Sequence, residues 1–355
     1  MSPKAILWLA VLVVCAYPAA ASTRYVGTCK SGSYSTIGDA VLAAPSGSTI
    51  LICPGIYIEQ VIISADLTLK GLDTSSAEGG TGALIYSPGT MWPTTSAIFT
   101  SYELGGPITP VIWVTAGTVT IENVSVVNSV DYCPSSNTKT VGFYYQSGAS
   151  GTLNHVGFFG FGQECAIGIL AENASSTHTA VTVENSYSAA GIVAGSLATT
   201  VDGTLTVTIK GNQVFPTAPY GSFGIYLYGV SGTVESNFVS GPRLDGGGYG
   251  EGGTAIFADG VAQTNVTISG NTIQVNDNFL SRDGGETWGI DVTVDGATVK
   301  GNKITGPQIG ILMNCHAGTV SGNTISFAYD GIANVPAGSL GVNTFYNTAS
   351  KTSTC

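Results

Sequence analysis

Residues 299–304 read VKGNKI and residues 320–325 read VSGNTI. Both fragments have an aliphatic residue three positions before an asparagine and an apolar residue two positions after it. The pattern recurs from about Thr206 to Phe345, in IKGNQV (209–214), VESNFV (234–239), ISGNTI (268–273), VKGNKI, VSGNTI and LGVNTF (340–345). A short strand, a bend and a second short strand would place both apolar residues of each fragment on one inner face. Repeats of this length predict a solenoid, in which successive coils stack along one axis.

The repeated asparagines have a structural interpretation. Asparagine tolerates left-handed backbone geometry and hydrogen-bonds to neighbouring backbone, so stacked coils would align these side chains in an internal ladder. The predicted ladder consists of Asn212, Asn237, Asn271, Asn302, Asn323 and Asn343. We therefore interpret them as structural rather than catalytic.

Composition supports a β-rich exported protein. The 355 residues include 49 glycines, and only 9% are charged, which favours short strands with tight turns over long charged helices. The net charge is −11 and the 11 Lys and Arg residues are scattered, so nucleic acid is excluded as the expected partner. No stretch beyond the N-terminus is apolar enough to cross a bilayer.

The N-terminus predicts a signal peptide over residues 1–21. Lys4 supplies the positive charge, residues 5–14 form the apolar run, and residues 19–21 (Ala-Ala-Ala) form a small-residue cleavage site. A membrane anchor is the alternative, but the run is short and Pro18 interrupts it. We expect a secreted protein, extracellular or periplasmic, with one domain over residues 22–355.

Six cysteines remain after the signal peptide, and an even number in an exported chain predicts disulfides. Pairing of neighbours along the chain would give Cys29–Cys53, Cys133–Cys165 and Cys315–Cys355, although six cysteines allow fifteen pairings. Metal binding is the weaker alternative, because no CxxC or paired His/Cys spacing occurs.

The start of the mature chain carries a resemblance to a known family. Residues 35–44 predict a short amphipathic helix with Ser35 as N-cap, followed by β-rich runs over residues 49–69 that contain Pro54, Gly55 and Tyr57. A capping helix before a first coil with a PGxY turn resembles right-handed parallel β-helix proteins of the pectin-lyase-like superfamily. The resemblance spans about residues 25–347 and implies an all-β, single-stranded, right-handed parallel β-helix of about ten coils.

The looser middle of the chain predicts further coils. The segments read as coils are Val111–Val127, Val141–Phe161, Gly168–Glu184 and Gly191–Val207. Insertions are expected on one side of the stack. Five similar segments begin at Gly224, Ala255, Gly289, Gly310 and Gly331. The distance from the start of each segment to the next ladder asparagine is nearly constant, at 12 to 16 residues, whereas the distance from the preceding ladder asparagine to the segment varies from 8 to 18 residues.

The variable connections predict a binding face. Coils stack in register, so Phe215–Phe223, Ser240–Gly253 and Asn276–Trp288 would emerge together as a wall beside the short coils that follow, forming a lateral groove. Aromatic and charged residues concentrate there, as a sugar chain would require. The substrate-binding candidates are Tyr220, Tyr249, Glu251 and Trp288. Solvated loops with local ion pairs, such as Arg282 with Asp283, are the alternative.

Two reaction types would use the same loops. A hydrolase needs two carboxylates across the scissile bond. A lyase acting on uronates needs a base, often Lys or Arg, and a positive charge or a Ca²⁺ cofactor to neutralise the substrate carboxylate. The catalytic candidates are Arg243, Arg282, Asp283 and Glu286. The candidate Ca²⁺ ligands are Asp245 and Asp277.

The enzyme families of this superfamily match poorly. The segment from Gly55 to Glu59 is similar to the GxYxE segment of pectin methylesterases, but their catalytic segments have no counterpart, nor do those of polygalacturonases and pectate lyases. Tyr57 and Glu59 are therefore expected to be structural. The sequence predicts a protein that binds extracellular polysaccharide, with cleavage left open. The alternative is a non-catalytic structural or adhesive surface protein.

Overall fold

The computed structural model describes residues 20–73, 82–98, 107–128, 138–160, 166–197, 204–216, 223–240, 253–260, 265–275 and 287–355. Most of the predicted signal peptide, Cys133 and Cys165 lie outside these residues, so those assignments remain predictions. Among the described residues, no helix has the length and apolarity needed to cross a membrane.

One short helix and 34 strands make up the described structure. In the N-terminal part they are β1 (Thr23–Val26), α1 (Ile37–Ala43), β2 (Ser48–Ile52), β3 (Gly55–Ile58), β4 (Val61–Ile63), β5 (Leu67–Gly71), β6 (Ala83–Tyr86), β7 (Thr94–Thr95), β8 (Pro107–Val114), β9 (Thr118–Glu122) and β10 (Val124–Asn128). The middle contains β11 (Lys139–Tyr145), β12 (Ser150–Asn154), β13 (Gly157–Gly160), β14 (Ala166–Asn173), β15 (Thr179–Glu184), β16 (Tyr187–Ser188), β17 (Gly191–Ser196), β18 (Leu205–Lys210), β19 (Gln213–Val214), β20 (Phe223–Tyr228), β21 (Ser231–Glu235) and β22 (Phe238–Ser240). The C-terminal part contains β23 (Thr254–Asp259), β24 (Val266–Ser269), β25 (Thr272–Gln274), β26 (Trp288–Val292), β27 (Ala297–Lys300), β28 (Lys303–Thr305), β29 (Ile309–Leu312), β30 (Gly318–Ser321), β31 (Thr324–Ser326), β32 (Asp330–Val335), β33 (Thr344–Tyr346) and β34 (Ser350–Thr354).

The strands form three long parallel sheets. Sheet A has the order β1-β2-β5-β9-β12-β15-β18-β21-β24-β27-β30, and sheet B has the order β3-β6-β10-β13-β16-β19-β22-β25-β28-β31-β33. Sheet C runs β4-β8-β11-β14-β17-β20-β23-β26-β29-β32-β34, and β7 pairs with β8 antiparallel. Each coil contributes one strand to each sheet in turn, so the protein is a right-handed parallel β-helix, as predicted. Eleven strands about 4.8 Å apart make a stack about 48 Å long.

The repeated apolar pairs form the interior. In the first five fragments both apolar residues are at most 1% exposed, as with Ile268 and Ile273, because the strands of sheets A and B turn them toward the axis. At the C-terminal end Leu340 and Phe345 are only partly buried against this core. The pairing predicted from the repeat is confirmed.

The asparagine ladder is also confirmed. The side-chain oxygen of each asparagine accepts hydrogen bonds from both the backbone N–H and the Nδ2 of the preceding asparagine, at 2.9–3.0 Å. Each Nδ2 also donates to a sheet A carbonyl, such as Val234 for Asn271. Ser186 continues the ladder toward the N-terminus, since its N–H donates to Asn212 Oδ1. The ladder therefore pairs buried backbone groups at the bend between sheets A and B.

The left-handed residue of the first five bends is the one before the asparagine, which corrects the predicted role of asparagine itself. Gly270, Gly301 and Gly322 have φ angles of 63°, 65° and 69°, and Ser236 has 57°. Glycine adopts this region without steric cost, which explains the GN pair in most coils. The asparagine is retained for its side-chain hydrogen bonds.

The N-terminal helix starts one residue later than predicted. Thr36, not Ser35, is the N-cap, and its Oγ1 accepts from the Asp39 N–H at 3.1 Å. The Glu59 carboxylate accepts from the Ile37 and Gly38 N–H groups, both at 2.8 Å, and so fastens the helix to the coil below. The Tyr57 hydroxyl donates to the Cys53 carbonyl at 2.8 Å. Both residues have the structural roles that the sequence predicted.

Two predicted disulfides are present, one near each end of the stack. Cys29–Cys53 joins the segment after β1 to the end of β2, and Cys315–Cys355 joins the turn after β29 to the C-terminal residue. Both pairings follow the order of the cysteines along the chain.

The outer face of sheet A contains two regular columns of side chains. The threonine column consists of the register partners Thr23, Thr49, Thr68, Thr120, Thr152, Thr182, Thr208, Thr233, Thr267, Thr298 and Thr319. Two residues further along the same strands, the mixed column consists of Tyr25, Leu51, Lys70, Glu122, Asn154, Glu184, Lys210, Glu235, Ser269, Lys300 and Ser321.

Candidate functional site

The long insertions leave the stack at one flank. Residues 215–222, 241–253 and 275–287 connect sheet B to sheet C in three successive coils, from β19 to β20, from β22 to β23 and from β25 to β26. The next two connections, 306–308 and 327–329, have three residues each. The strands that anchor the insertions are neighbours in both sheets. The predicted shared flank is therefore confirmed at the anchoring strands.

Most of the predicted site residues lie outside the described part of the chain. These are Tyr220, Arg243, Asp245, Tyr249, Glu251, Asp277, Arg282, Asp283 and Glu286. Their roles in binding, catalysis and Ca²⁺ ligation remain predictions. Within the described ranges, no group of three or more His, Cys, Asp or Glu side chains is arranged to hold a metal ion.

Trp288 is the one predicted substrate-binding residue that the structure describes. It begins β26 and is half-buried, in register with Thr254, whose other partner is Phe223 at the start of β20. Its Nε1 is buried and has no hydrogen-bond partner among the described residues. Trp288 and Phe223 thus both lie at the start of a strand, on the side of sheet C where two of the insertions rejoin the stack.

An aromatic cluster lies on the outer face of sheet C beside these strand starts. Strand alternation turns Ile225 and Leu227 inward and Tyr226 outward. The Phe223 ring stacks on Tyr226 and Phe257, with centroids 4.8 and 5.3 Å apart, and Tyr226 lies 5.3 Å from Phe257. These three half-buried or buried rings come from two adjacent strands and make a continuous apolar surface on the rod.

Two aspartates adjoin the aromatic cluster on the same face. Asp291 of β26 is the register partner of Phe257, and Asp259 lies two residues beyond Phe257 on β23. The two residues are therefore diagonal neighbours, with Cα atoms about 8 Å apart from strand spacing and rise. Asp259 Oδ1 accepts from Thr293 Oγ1 at 2.6 Å and from the Gly260 N–H at 2.7 Å. Asp291 Oδ1 accepts from Asn314 Nδ2 at 2.6 Å.

The surroundings of Asp291 favour its protonated form. Its side chain is 9% exposed, and burial is the main factor that raises its pKa to about 6, with a further contribution from the negative charge of Asp259. The Asn314 hydrogen bond opposes the shift without cancelling it. Near pH 6 this face therefore combines a carboxyl group that holds a proton with a second carboxylate, an arrangement typical of acid–base chemistry.

The N-terminal half of the same face is covered by the chain itself. Buried Glu172 accepts from Ser96 Oγ at 2.6 Å, from the Ala97 N–H at 3.0 Å and from the Tyr144 hydroxyl. The Ile98 side chain lies against Gly195 on β17, where an added Cβ would meet its Cδ1 at 2.3 Å. Residues 96–98 thus close the outer face of sheet C in these coils, and the aromatic cluster lies beyond them.

Sequence reasoning missed Asp259 and Asp291 because it looked for charged residues in the insertions. The available signal was an acidic residue at an outward position in each of two strands, in FAD (257–259) and GID (289–291), in a chain where charged residues are scarce. The two residues are 32 positions apart, and only the stacking of coils makes them neighbours.

The three stacked parallel sheets define the class of the protein, a right-handed parallel β-helix. No protein-family model matches the chain, and no curated protein matches its sequence. Among solved structures, the pectin methylesterase PemA from Erwinia chrysanthemi is 13% identical, with 80% of this chain and 78% of that chain covered and a TM-score of 0.42.

Two further structures are similar to the chain at the same level. The surface adhesin PfbA of Streptococcus pneumoniae is 15% identical, with 85% of this chain and 88% of that chain covered and a TM-score of 0.40. The rice weevil pectin methyl esterase is 16% identical, with 99% and 91% covered and a TM-score of 0.38. Since an esterase and an adhesin are similar to the chain to the same degree, these likenesses are of fold alone.

Proposed function

We propose that the protein is exported and binds an extracellular polysaccharide along the outer face of sheet C. The observation that carries this proposal is the aromatic cluster of Phe223, Tyr226 and Phe257 beside Asp259 and Asp291, on the flank where three insertions emerge. Aromatic surfaces pack against the apolar faces of sugar rings, and carboxylates accept hydrogen bonds from sugar hydroxyls.

An exported location agrees with the covalent structure. The disulfides Cys29–Cys53 and Cys315–Cys355 persist in oxidising compartments, and residues 1–21 have the composition of a signal peptide. An exported protein would encounter polysaccharides outside the cell.

Binding is tested with a matched pair of substitutions. Phe257→Ala removes a half-buried ring of the aromatic cluster, whereas Phe238→Ala removes a half-buried ring from the outer face of sheet B, where it packs against Phe215 at 5.5 Å. On a glycan array followed by affinity electrophoresis, we expect Phe257→Ala to weaken retention about tenfold or more and Phe238→Ala to leave it unchanged. Equal losses in the two variants, or no retention of the unmodified protein, would refute the proposed face.

Cleavage of the bound polysaccharide is the second candidate, and the raised pKa of Asp291 favours it. A protonated Asp291 would donate to the glycosidic oxygen as the bond breaks, and Asp259 would activate the attacking water or attack the sugar itself. In this assignment, Asp291 and Asp259 on adjacent strands take the catalytic roles that the sequence predicted for carboxylates of the insertions. Strands hold such groups more rigidly than loops do.

The products of digestion separate the alternatives. New reducing ends without unsaturation, lost in Asp291→Asn and in Asp259→Asn, would support hydrolysis by this pair, with activity falling as pH rises through about 6. Unsaturated ends lost in Arg243→Ala or Arg282→Ala would instead support a lyase using the insertions. Retention without products would leave a binding or adhesive protein.

A further inference from the structure

The threonine column places one hydroxyl and one methyl group on the outer face of sheet A in each of its eleven strands. Parallel strands lie about 4.8 Å apart, so the column is a one-dimensional lattice that follows the rod from end to end. Its members are half-buried in nine strands and exposed in the first and last, at Thr23 and Thr319. The column is therefore a surface feature, unlike the buried asparagine ladder.

Strand propensity does not explain the constancy of this column. Threonine is favoured at outward strand positions, and Thr–Thr neighbours stabilise a sheet modestly. The mixed column, however, occupies outward positions of the same strands under the same preference and contains six residue types. The corresponding outward column of sheet B is equally varied, with Tyr187, Gln213, Phe238, Thr272 and Lys303 as successive partners. A requirement specific to this column would explain why every strand has a residue that carries both a hydroxyl and a methyl group.

Most hydroxyls of the column make no hydrogen bond to the described part of the protein. Among the described residues, the one hydrogen bond made by these hydroxyls to the protein runs from Thr319 Oγ1 to Thr298 Oγ1, at 3.3 Å. The asparagine ladder satisfies buried backbone groups, whereas the threonine column satisfies none. Its hydroxyls are available, at a fixed interval, to a ligand that repeats at the same interval.

The mixed column determines which ligand fits. Six of its members are lysine or glutamate, including the ion pairs Lys70–Glu122 at 2.7 Å and Lys210–Glu235 at 3.8 Å, and these long side chains stand beside the shorter threonines on the same face. A flat crystalline surface would be held away from the threonines by these side chains, whereas a single chain can lie along them. The three lysines and three glutamates of the mixed column balance one another, so the column favours neither an anionic nor a cationic polymer and the ligand is neutral.

We infer that the threonine column is a second carbohydrate site, which binds a single extended chain of a neutral β-1,4-linked glycan parallel to the axis of the rod. Such a chain presents hydroxyls at nearly the interval of a parallel sheet, so hydrogen bonds form at several successive threonines. The threonine methyl groups contact C–H groups of the sugar rings. The inference does not rest on the proposed function of sheet C, since the two faces are built from different strands.

The test removes hydroxyls without disturbing the sheet. The triple variant Thr182→Val/Thr208→Val/Thr233→Val keeps β-branched side chains in three successive strands, and the control Thr272→Val/Thr324→Val/Thr344→Val makes the same change on sheet B. We expect the unmodified protein and the control to bind cellohexaose or chitohexaose. The sheet A variant should bind at least tenfold more weakly, with an unchanged melting temperature.

A second variant blocks the threonine column instead of altering its chemistry. Thr208→Tyr places a ring across the column and should weaken binding, whereas Thr324→Tyr on sheet B should not. Phe257→Ala should leave this binding intact, which separates failure at the threonine column from failure of the sheet C proposal.

Three outcomes would overturn the inference. They are no retention of either neutral glycan by the unmodified protein, equal losses in the two triple valine variants, and thermal hysteresis in ice growth assays without glycan binding. The last outcome would assign the column to an ice lattice.

Discussion

The side chain of Asn271 makes four hydrogen bonds, two through Nδ2 to Val234 and Asn302 and two through Oδ1 from Asn237. The side chain is fully buried, so if it were removed each partner would lose a hydrogen bond and no water molecule would replace it. A buried donor or acceptor left unpaired costs about 1–3 kcal/mol. At the scale of single residues, the ladder is therefore the most sensitive part of the interior.

We predict that Asn271→Ala lowers the free energy of unfolding by about 3 kcal/mol or more, because it leaves several buried groups unpaired. Asn343→Ala, at the half-buried end of the ladder, should cost about 1 kcal/mol, because water can replace the lost partners. Urea denaturation followed by circular dichroism measures both. Similar losses at the two positions would contradict the ladder as the cause.

The pKa of Asp291 makes stability depend on pH in a definite direction. A carboxyl whose pKa rises from 3.8 to about 6 on folding binds its proton more tightly in the folded state. Its contribution to stability is therefore greatest below about pH 4, falls as pH rises from 4 to 6, and is constant above that range.

We predict that Asp291→Asn raises the free energy of unfolding at pH 7–8 by about 1–3 kcal/mol, since the amide needs no proton to remain neutral. Near pH 4 the variant and the unmodified protein should have the same stability. Thermal melts from pH 4 to pH 8 make the comparison. A variant less stable at pH 7 would show that the ionised carboxylate makes contacts that outweigh its burial.

At the scale of elements, α1 depends on a carboxylate from outside the helix. Glu59 accepts two N–H groups of its first turn, and hydrogen bonds to a charged acceptor are stronger than neutral ones. The helix contains only seven residues, too few to be stable by itself. It packs over the first coil, where Ile37 and Ala40 join the main core.

We predict that Glu59→Ala lowers stability by about 1–3 kcal/mol and increases aggregation, since loss of the helix would expose the first coil as an open edge. Glu59→Gln should retain part of the effect through one acceptor oxygen. The control Asp39→Asn, at an exposed position in the first turn, should cost a few tenths of a kcal/mol. Melting curves with light scattering measure both properties; unchanged scattering in Glu59→Ala would argue against α1 as a protective cap.

At the scale of the whole molecule, the rod is built from contacts between neighbouring coils. Perturbations at one end should therefore stay local. The strand β34 is largely exposed and pairs with a single neighbour, β32. The Cys315–Cys355 disulfide joins the residue that follows β34 to the turn after β29.

We predict that Cys315→Ser/Cys355→Ser frays β34 and β32 while leaving the N-terminal coils unchanged. Hydrogen exchange measured by mass spectrometry should show faster exchange in residues 330–355 and no change in residues 48–71. The double variant Cys29→Ser/Cys53→Ser should show the reverse distribution. Faster exchange throughout the chain in either variant would indicate one cooperative unit instead of a chain of coils.

Sequence reasoning predicted the fold well where the repeat is regular. The inward pairs after Thr206, the ladder and two of the disulfides follow from residue types at fixed spacing. It placed the left-handed residue and the N-cap one position away, because neighbouring residues such as Ser35 and Thr36 have similar local preferences. The sequence also predicted particular site residues, but all of them except Trp288 lie outside the described structure, so their roles stay predictions.

By itself, the sequence determined the coil: which residues face inward, where the chain bends and where insertions occur, because these depend on local backbone preference and apolar spacing. The tertiary structure alone decided which residues meet across coils. Successive ladder asparagines are separated by 25, 34, 31, 21 and 20 residues, so no fixed interval predicts that Asp259 and Asp291, or the eleven threonines, lie side by side. The hydrogen-bonded register between parallel strands determines these neighbours, and it exists only once the coils have stacked.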